Sequence, residues 1–196
     1  VNWMKVHEEE MFDSNYDDME NLKPVIPEGN SDSASLDNVF ELLSMSGHSA
    51  PLTKLMLIPD AWSKKSKILP KNQLKLFNFL NSTMEPWDGP AALAGTDNEW
   101  VIAASDRNGL RPLRFTITRD KLLFAGSETG MVDLNEKKII RKGRLGPGEI
   151  IGVRIEKGKV FTNSQIKDYL AKEYKHFNNQ IIDLDKKFPI EKENNN

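Results

Sequence analysis

The hydrophobic periodicity of the chain changes once, near Ala91, and that switch restricts the folds open to it more than any other feature. Before it, apolar residues recur at helical spacing. Leu36, Val39, Phe40 and Leu43 stand at i, i+3, i+4 and i+7 behind Ser31-Asp32-Ser33-Ala34-Ser35, a run rich in N-cap residues, and Gly47 is placed to close the helix. Pro51 opens and Pro59 stops a second helical run through Leu52, Leu55 and Met56; Pro70 precedes a third through Leu74, Phe77 and Leu80. After the switch, Gly, Asp and Asn separate short apolar runs: Ala91 to Ala94, Trp100 to Ala104, Arg114 to Thr118, Lys121 to Ala125, Glu149 to Ile155 and Lys159 to Phe161. Arg119-Asp120 and Glu156-Lys157-Gly158 read as hairpin turns. A last helix, capped by Asn163 or Ser164, sets Ile166, Tyr169, Leu170 and Phe177 on one side. Helices, then antiparallel strands, then one closing helix predict an α+β fold whose sheet is backed by a helical layer. No strand-helix-strand alternation supports a doubly wound sheet.

At 196 residues the chain is one folding unit or a large piece of a bigger one. Its 27 basic and 29 acidic side chains give a net charge of −2, which argues against a nucleic-acid partner, since a polyanion binder is basic. No window approaches the ~20 apolar residues of a membrane helix and no signal-peptide pattern opens the chain, so no membrane partner is expected and the cytoplasm is the expected compartment. With no Cys, these residues hold no disulfide, thiolate metal site or cysteine nucleophile. The opening Val1, with Trp3, Met4 and Val6 close behind, reads as the inside of a fold, hence as a fragment or split product. Glu8 to Glu20 carries seven acids and no Lys or Arg, which fits a short helix and a solvated acidic loop. Residues 178–196 read as a polar, disordered tail.

Few motifs survive their simplest structural explanation. Gly143-Arg144-Leu145-Gly146-Pro147-Gly148 is glycine-rich, but Pro147 removes a donor from any anion cradle, so it reads as a turn before a strand. His7-Glu8-Glu9-Glu10 lacks the second His of a zinc helix, and neither His48 nor His176 has ligands nearby in sequence, so no metal is expected. Gly47-His48-Ser49-Ala50-Pro51 lacks the second glycine and the orienting carboxylate of an activated serine, and a helix start explains it better. Asp106-Arg107-Asn108-Gly109-Leu110-Arg111-Pro112 carries more: an Asn-Gly turn that Asp106 and two arginines can brace by charge-assisted bonds.

Taken in order, Val1-Asn2-Trp3-Met4, Ser31 to Ala34 with Asp37-Asn38-Val39, Leu57 to Trp62, Met84 to Ala91, Asp106 to Pro112 and Lys142 to Leu145 resemble the second part of the class II glutamine amidotransferase domain of glutamate synthase large subunits. The blocks holding Trp62 and Trp87 set this resemblance apart from other class II amidotransferases. It implies an N-terminal nucleophile hydrolase fold, two antiparallel sheets between helical layers, with residues 1–177 forming the C-terminal part of that domain. It implies a glutaminase step in which an N-terminal Cys thiolate attacks the glutamine amide, the α-amine manages the proton, and Asn and Gly donors hold the oxyanion. Ammonia then reaches a flavin domain and is reduced with 2-oxoglutarate to glutamate. FMN and an iron-sulfur cluster are implied for the parent enzyme and none for this chain. Nucleophile and oxyanion segment both fall outside these residues, so no catalytic residue is assigned. Of the family's glutamine contacts only Asp32 maps here, as receiver of the substrate α-ammonium, while a carboxylate at that point also suits a helix cap. His48 stands where the resemblance leads one to expect Arg, so no charged contact is carried over. The expected partners are glutamine and the remainder of the synthase chain; the alternative is an inert truncated or split module that folds or acts only with its missing half.

Overall fold

The computed structural model describes residues 23–60 and 69–175. The acidic stretch, the tail, Trp62, His7, His176 and Phe177 lie outside the described residues. The α+β expectation holds there, with two antiparallel sheets. Among the described residues three helices come first: α1 (Asp32–Met45), α2 (Ala50–Leu57) and α3 (Lys71–Thr83). Seven strands follow: β1 (Ala92–Thr96), β2 (Trp100–Ser105), β3 (Leu113–Thr118), β4 (Leu123–Gly126), β5 (Ile139–Leu145), β6 (Ile150–Arg154) and β7 (Lys159–Phe161), before the closing α4 (Asn163–Glu173). The strand orders are β1-β2-β6-β7 and β4-β3-β5.

Period-2 alternation on β2 and β6 divides the apolar residues between two cores. Trp100, Ile102 and Ala104 of β2 and Ile150 of β6 meet the helices, sharing one cluster with Leu36, Val39, Leu55, Leu76, Leu80, Ile166 and Leu170. Ala103 and Ile151 point the other way, toward Leu113 and Phe115 of β3 and Leu145 of β5. The layers are therefore helices, four-stranded sheet, three-stranded sheet. Trp100, 1% exposed, is the largest fully buried side chain among the described residues, and its ring meets Phe161 at 5.1 Å and Tyr169 at 5.5 Å, joining β2, β7 and α4.

Both hairpin turns read from the sequence are present. Lys121 (φ 62°) closes β3 to β4 with its N–H on Thr118 O, and Gly158 (φ 53°) closes β6 to β7 with its N–H on Ile155 O. Other details differ. Strand β5 has no counterpart in the sequence reading: Gly143 to Leu145 belongs to a strand, and only Gly146-Pro147-Gly148 turns. Its charged residues hid it, because β5 is an edge strand whose Arg141, Lys142 and Arg144 stand exposed. Gly143 is needed within it, since a Cβ there would sit 2.4 Å from the Phe115 ring. The cap of α4 is Thr162, one residue earlier than expected, in a capping box with Gln165.

If Trp100 ties the strands to α4, Trp100→Ala should cost ~3–5 kcal/mol in urea unfolding. A loss below ~1 kcal/mol would mean that the aromatic group is dispensable.

Candidate functional site

Asp32 is the first residue of α1 and is exposed. It is not the cap. Ser31 takes that position, its Oγ accepting from Ala34 N at 3.2 Å, while Asp32 Oδ1 accepts from Ser33 N at 2.8 Å. The sequence reading thus merged two roles that the structure gives to neighbouring residues. A carboxylate in the first turn still complements the helix N-terminus, but capping does not consume it. What fixes this helix start is the segment before it. Val25 and Ile26 are buried in the main core, and Asn38 Nδ2 of α1 donates to Val25 O at 3.0 Å.

Asp32, Leu36 and Phe40 follow at i, i+4 and i+8 on one face of α1, and Leu36 and Phe40 line a cavity of about 440 Å³. Its other walls are Lys54 and Ile58 from α2 and its end, and Leu93 to Asn98 from β1 and the following turn. Asp32 is one helical turn beyond this wall. Gly95 lets Phe40 close onto β1, a Cβ there being 2.8 Å from the ring. The turn after β1 is organised by Asp97, whose carboxylate accepts from Glu99 N at 2.9 Å, from Trp100 N at 2.6 Å and, across to α2, from Ala50 N. Asp97 thus supplies the side-chain acceptor at the start of α2, and the Gly47-His48-Ser49 stretch is a helix start as expected. His48 Nδ1 donates to Leu43 O at 3.2 Å.

The Asp106 loop is not braced by guanidinium groups. Asp106 is 1% exposed and accepts from the backbone N–H groups of Asn108, Leu110 and Arg111 at 3.0 Å and of Ala91 at 3.2 Å. Burial pushes its pKa up, but these four bonds together outweigh burial and hold it below the usual carboxylate value. Its own carbonyl receives Gly109 N and Gly148 N. Gly109 (φ 65°) closes the turn, so of the Asn-Gly pair only the glycine uses the left-handed region.

Sequence reasoning missed a buried charged cluster at the same junction. Lys54 is 1% exposed and donates to Gly148 O at 2.6 Å. Lys167 of α4, 3% exposed, pairs with Asp60 at 2.5 Å and lies over the Phe77 ring. Gly148 (φ 68°) passes so close to Asp60 that a Cβ would lie 2.9 Å from its Cα. Desolvation lowers the Lys54 pKa to about 8 against the attraction of Asp60. No local sequence signal marks it, because Lys54 is two residues from Leu52 and falls off the Leu52-Leu55-Met56 stripe.

Neither an iron-sulfur cluster nor a flavin phosphate at the glycine turn fits the described residues. The chain has no Cys for a thiolate cluster, and no three His, Asp or Glu side chains converge on a metal position among the described residues. The glycine turn cannot cradle a flavin phosphate, because Gly146 N binds Glu149 Oε2, Gly148 N binds Asp106 O and Pro147 has no N–H. No described helix is long and apolar enough to cross a membrane.

Comparison with known proteins gives one answer. A family model described as glutamine amidotransferases class-II matches residues 1–179. A glutamate synthase [NADPH] large chain of Azospirillum brasilense is 53% identical over 172 residues, covering 87% of this chain and 11% of its own. A ferredoxin-dependent glutamate synthase 2 of Synechocystis is 40% identical over 177 residues, 89% of this chain and 11% of its own, and a glutamate synthase [NADH] of Saccharomyces cerevisiae 37% over 189 residues, 94% and 9%. The chain thus spans about a tenth of the length of these relatives.

Two pH profiles test the electrostatics. Because the Asp106 pKa is lowered on folding, its contribution is complete above pH about 4 and disappears as pH falls through the lower folded value. Asp106→Asn should cost roughly 2 to 4 kcal/mol at pH 7 and flatten the acid limb, since one N–H donor would face an amide donor. For Lys54 the unfolded chain binds more protons between pH 8 and 10.5, so the contribution of this group to stability rises with pH across that window. Urea midpoints of Lys54→Met should lack that rise; an unchanged alkaline slope would contradict the assignment.

Proposed function

The chain belongs to the class II glutamine amidotransferases, and from that premise we propose that it is part of a glutamate synthase amidotransferase domain in which Asp32 receives the α-ammonium of glutamine. One observation carries the site assignment: the Asp32 carboxylate stands exposed at the start of α1 while Ser31 caps the helix. An ammonium group set against it makes charge-assisted hydrogen bonds, and the 2.8 Å bond from Ser33 N holds Oδ1 in place. The ligand is oriented and no covalent chemistry is asked of this residue.

The chemistry belongs to groups elsewhere in the parent polypeptide. A Cys thiolate attacks the side-chain amide of glutamine, the α-amine delivers a proton to the departing ammonia, and water then releases glutamate from the thioester, with Asn and Gly donors holding the oxyanion at each stage. In the parent enzyme a flavin held by other residues would supply the reducing equivalents that turn this ammonia and 2-oxoglutarate into glutamate. FMN, an iron-sulfur cluster and the reductant are the parent's; the names of the relatives specify NADPH, NADH or ferredoxin. Residues 1–177 are the C-terminal part of an N-terminal nucleophile hydrolase domain, 178–196 a polar tail, and the enzyme is cytoplasmic. Under the second reading the chain is an inert module that acts only with its missing half. That reading is favoured by the absence of Cys, together with edges of β1, β4, β5 and β7 that have no strand partner among the described residues.

Asp32→Asn in the complete synthase separates ligand binding from structure. The expected outcome is a glutamine KM raised about tenfold or more, equivalent to ~1.4 kcal/mol or above, with activity on free ammonia and the melting temperature unaltered. Unchanged glutamine kinetics would remove the site. The chain alone should release no ammonia from glutamine above a denatured control; release would show a nucleophile within these residues.

A further inference from the structure

Asp32 is left for a ligand because its neighbour does the capping, yet Asp caps a helix as well as Ser does. Two cap registers are therefore open to α1, one residue apart. With Ser31 as cap the Asp32 carboxylate is left over; with Asp32 as cap it is consumed by N–H groups of the first turn. The course of the chain into Ser31 selects between them. Ser31 is extended, its Oγ accepts from Ala34 N, and its carbonyl receives Ser35 N at 3.0 Å and Ser35 Oγ at 2.9 Å. Before it, Pro27, Glu28, Gly29 and Asn30 are exposed, and Asn30 N reaches Pro27 O only at 3.5 Å. The direction of entry is set further back. Val25 and Ile26 are buried in the main core, and Asn38 Nδ2, from the second turn of α1, donates to Val25 O at 3.0 Å across 13 positions. With Val25 held, the chain turns at Gly29 (φ 80°) and arrives at Ser31 already extended. With Val25 released, the exposed stretch runs on unanchored, and the first turn, whose N–H donors have no intrahelical partner, is free to take its cap from Asp32.

We propose that Asn38 is a positioning residue for glutamine binding: by tying Val25 to α1 it keeps the cap on Ser31 and the Asp32 carboxylate available to the substrate α-ammonium. The inference rests on the Asp32 assignment and adds a residue that acts through Asp32 rather than on the ligand. Asn38 follows Asp32 by six positions, about 120° around the helix from it, and its amide is directed at Val25 O. It also gives the Asp37-Asn38-Val39 block a second task, since Val39 serves the core and Asn38 the cap register.

In the complete synthase Asn38→Ala should raise the glutamine KM about fivefold, in the range of one lost hydrogen bond, with kcat at saturating glutamine and the rate with free ammonia within about twofold of the original. Asn38→Gln, which retains an amide donor, should bring the KM back to within about twofold. The decisive measurement is the double variant. In an Asp32→Asn background, Asn38→Ala should alter the KM by less than about twofold, because the residue it positions has already lost its charge. An equal rise in both backgrounds, a KM unaffected by Asn38→Ala, a rate with ammonia that falls along with it, or an Asn38→Gln as impaired as Asn38→Ala would each overturn the proposal. A raised KM in Asp32→Asn beside a silent Asn38→Ala removes only the role of Asn38, whereas a silent Asp32→Asn removes the underlying site, so the two failures are told apart.

Discussion

A single buried carboxylate holds the two sheets in their mutual arrangement. The chain leaves β2 in the four-stranded sheet and enters β3 in the three-stranded one through the loop after Ser105, and such a crossover leaves backbone donors without a strand partner. Asp106 gathers four of them, one from the residue before β1, so the start of one sheet and the entry to the other share an anchor. Its carbonyl adds the turn before β6 through Gly148. Lys54 then binds the carbonyl of that same Gly148, which brings α2 to the junction. Helices, both sheets and the glycine turn therefore meet at one network, and the position of α1 with Asp32 depends on how α2 and β1 are seated in it.

The fold was legible where one periodicity dominated. Helices α1 and α3 could be read because each buries one face against a core and leaves the other in water, and the strands around Trp100, Phe115 and Ile150 because short apolar runs stand between turn residues. Strand β5 was not legible, because Ile139 to Leu145 places Arg and Lys on both sides of an edge strand and leaves only Leu145 fully buried. The Asp106 motif was visible, but its mechanism was not. Sequence shows the charges of Arg107 and Arg111, whereas the bonds are made by backbone groups that every residue carries.

The site was legible only as a position. Ser31-Asp32-Ser33 announces a helix start, yet which residue caps and which is left over depends on backbone angles, Ser31 being extended at φ −64° and ψ 162°. Lys54, Asp60 and Lys167 come together from distant places, the last two separated by 107 positions, and no local pattern records such a meeting.

The late arrival of α4 bears on how the polypeptide is made. Its contacts reach far back: Asp168 receives Gln73 across 95 positions, Lys167 holds Asp60, and Tyr169 completes the ring group around Trp100. Contacts so distant along the chain form late, after the entropy of closing a long loop has been met. On the ribosome, the first helices and the β1–β2 hairpin emerge well before the element that fastens them, and until Glu173 has cleared the exit tunnel the indole of Trp100 lacks one wall. Synthesis of the nascent domain thus includes an interval, set by translation speed, in which an apolar sheet face waits uncovered and chaperones have their natural point of engagement.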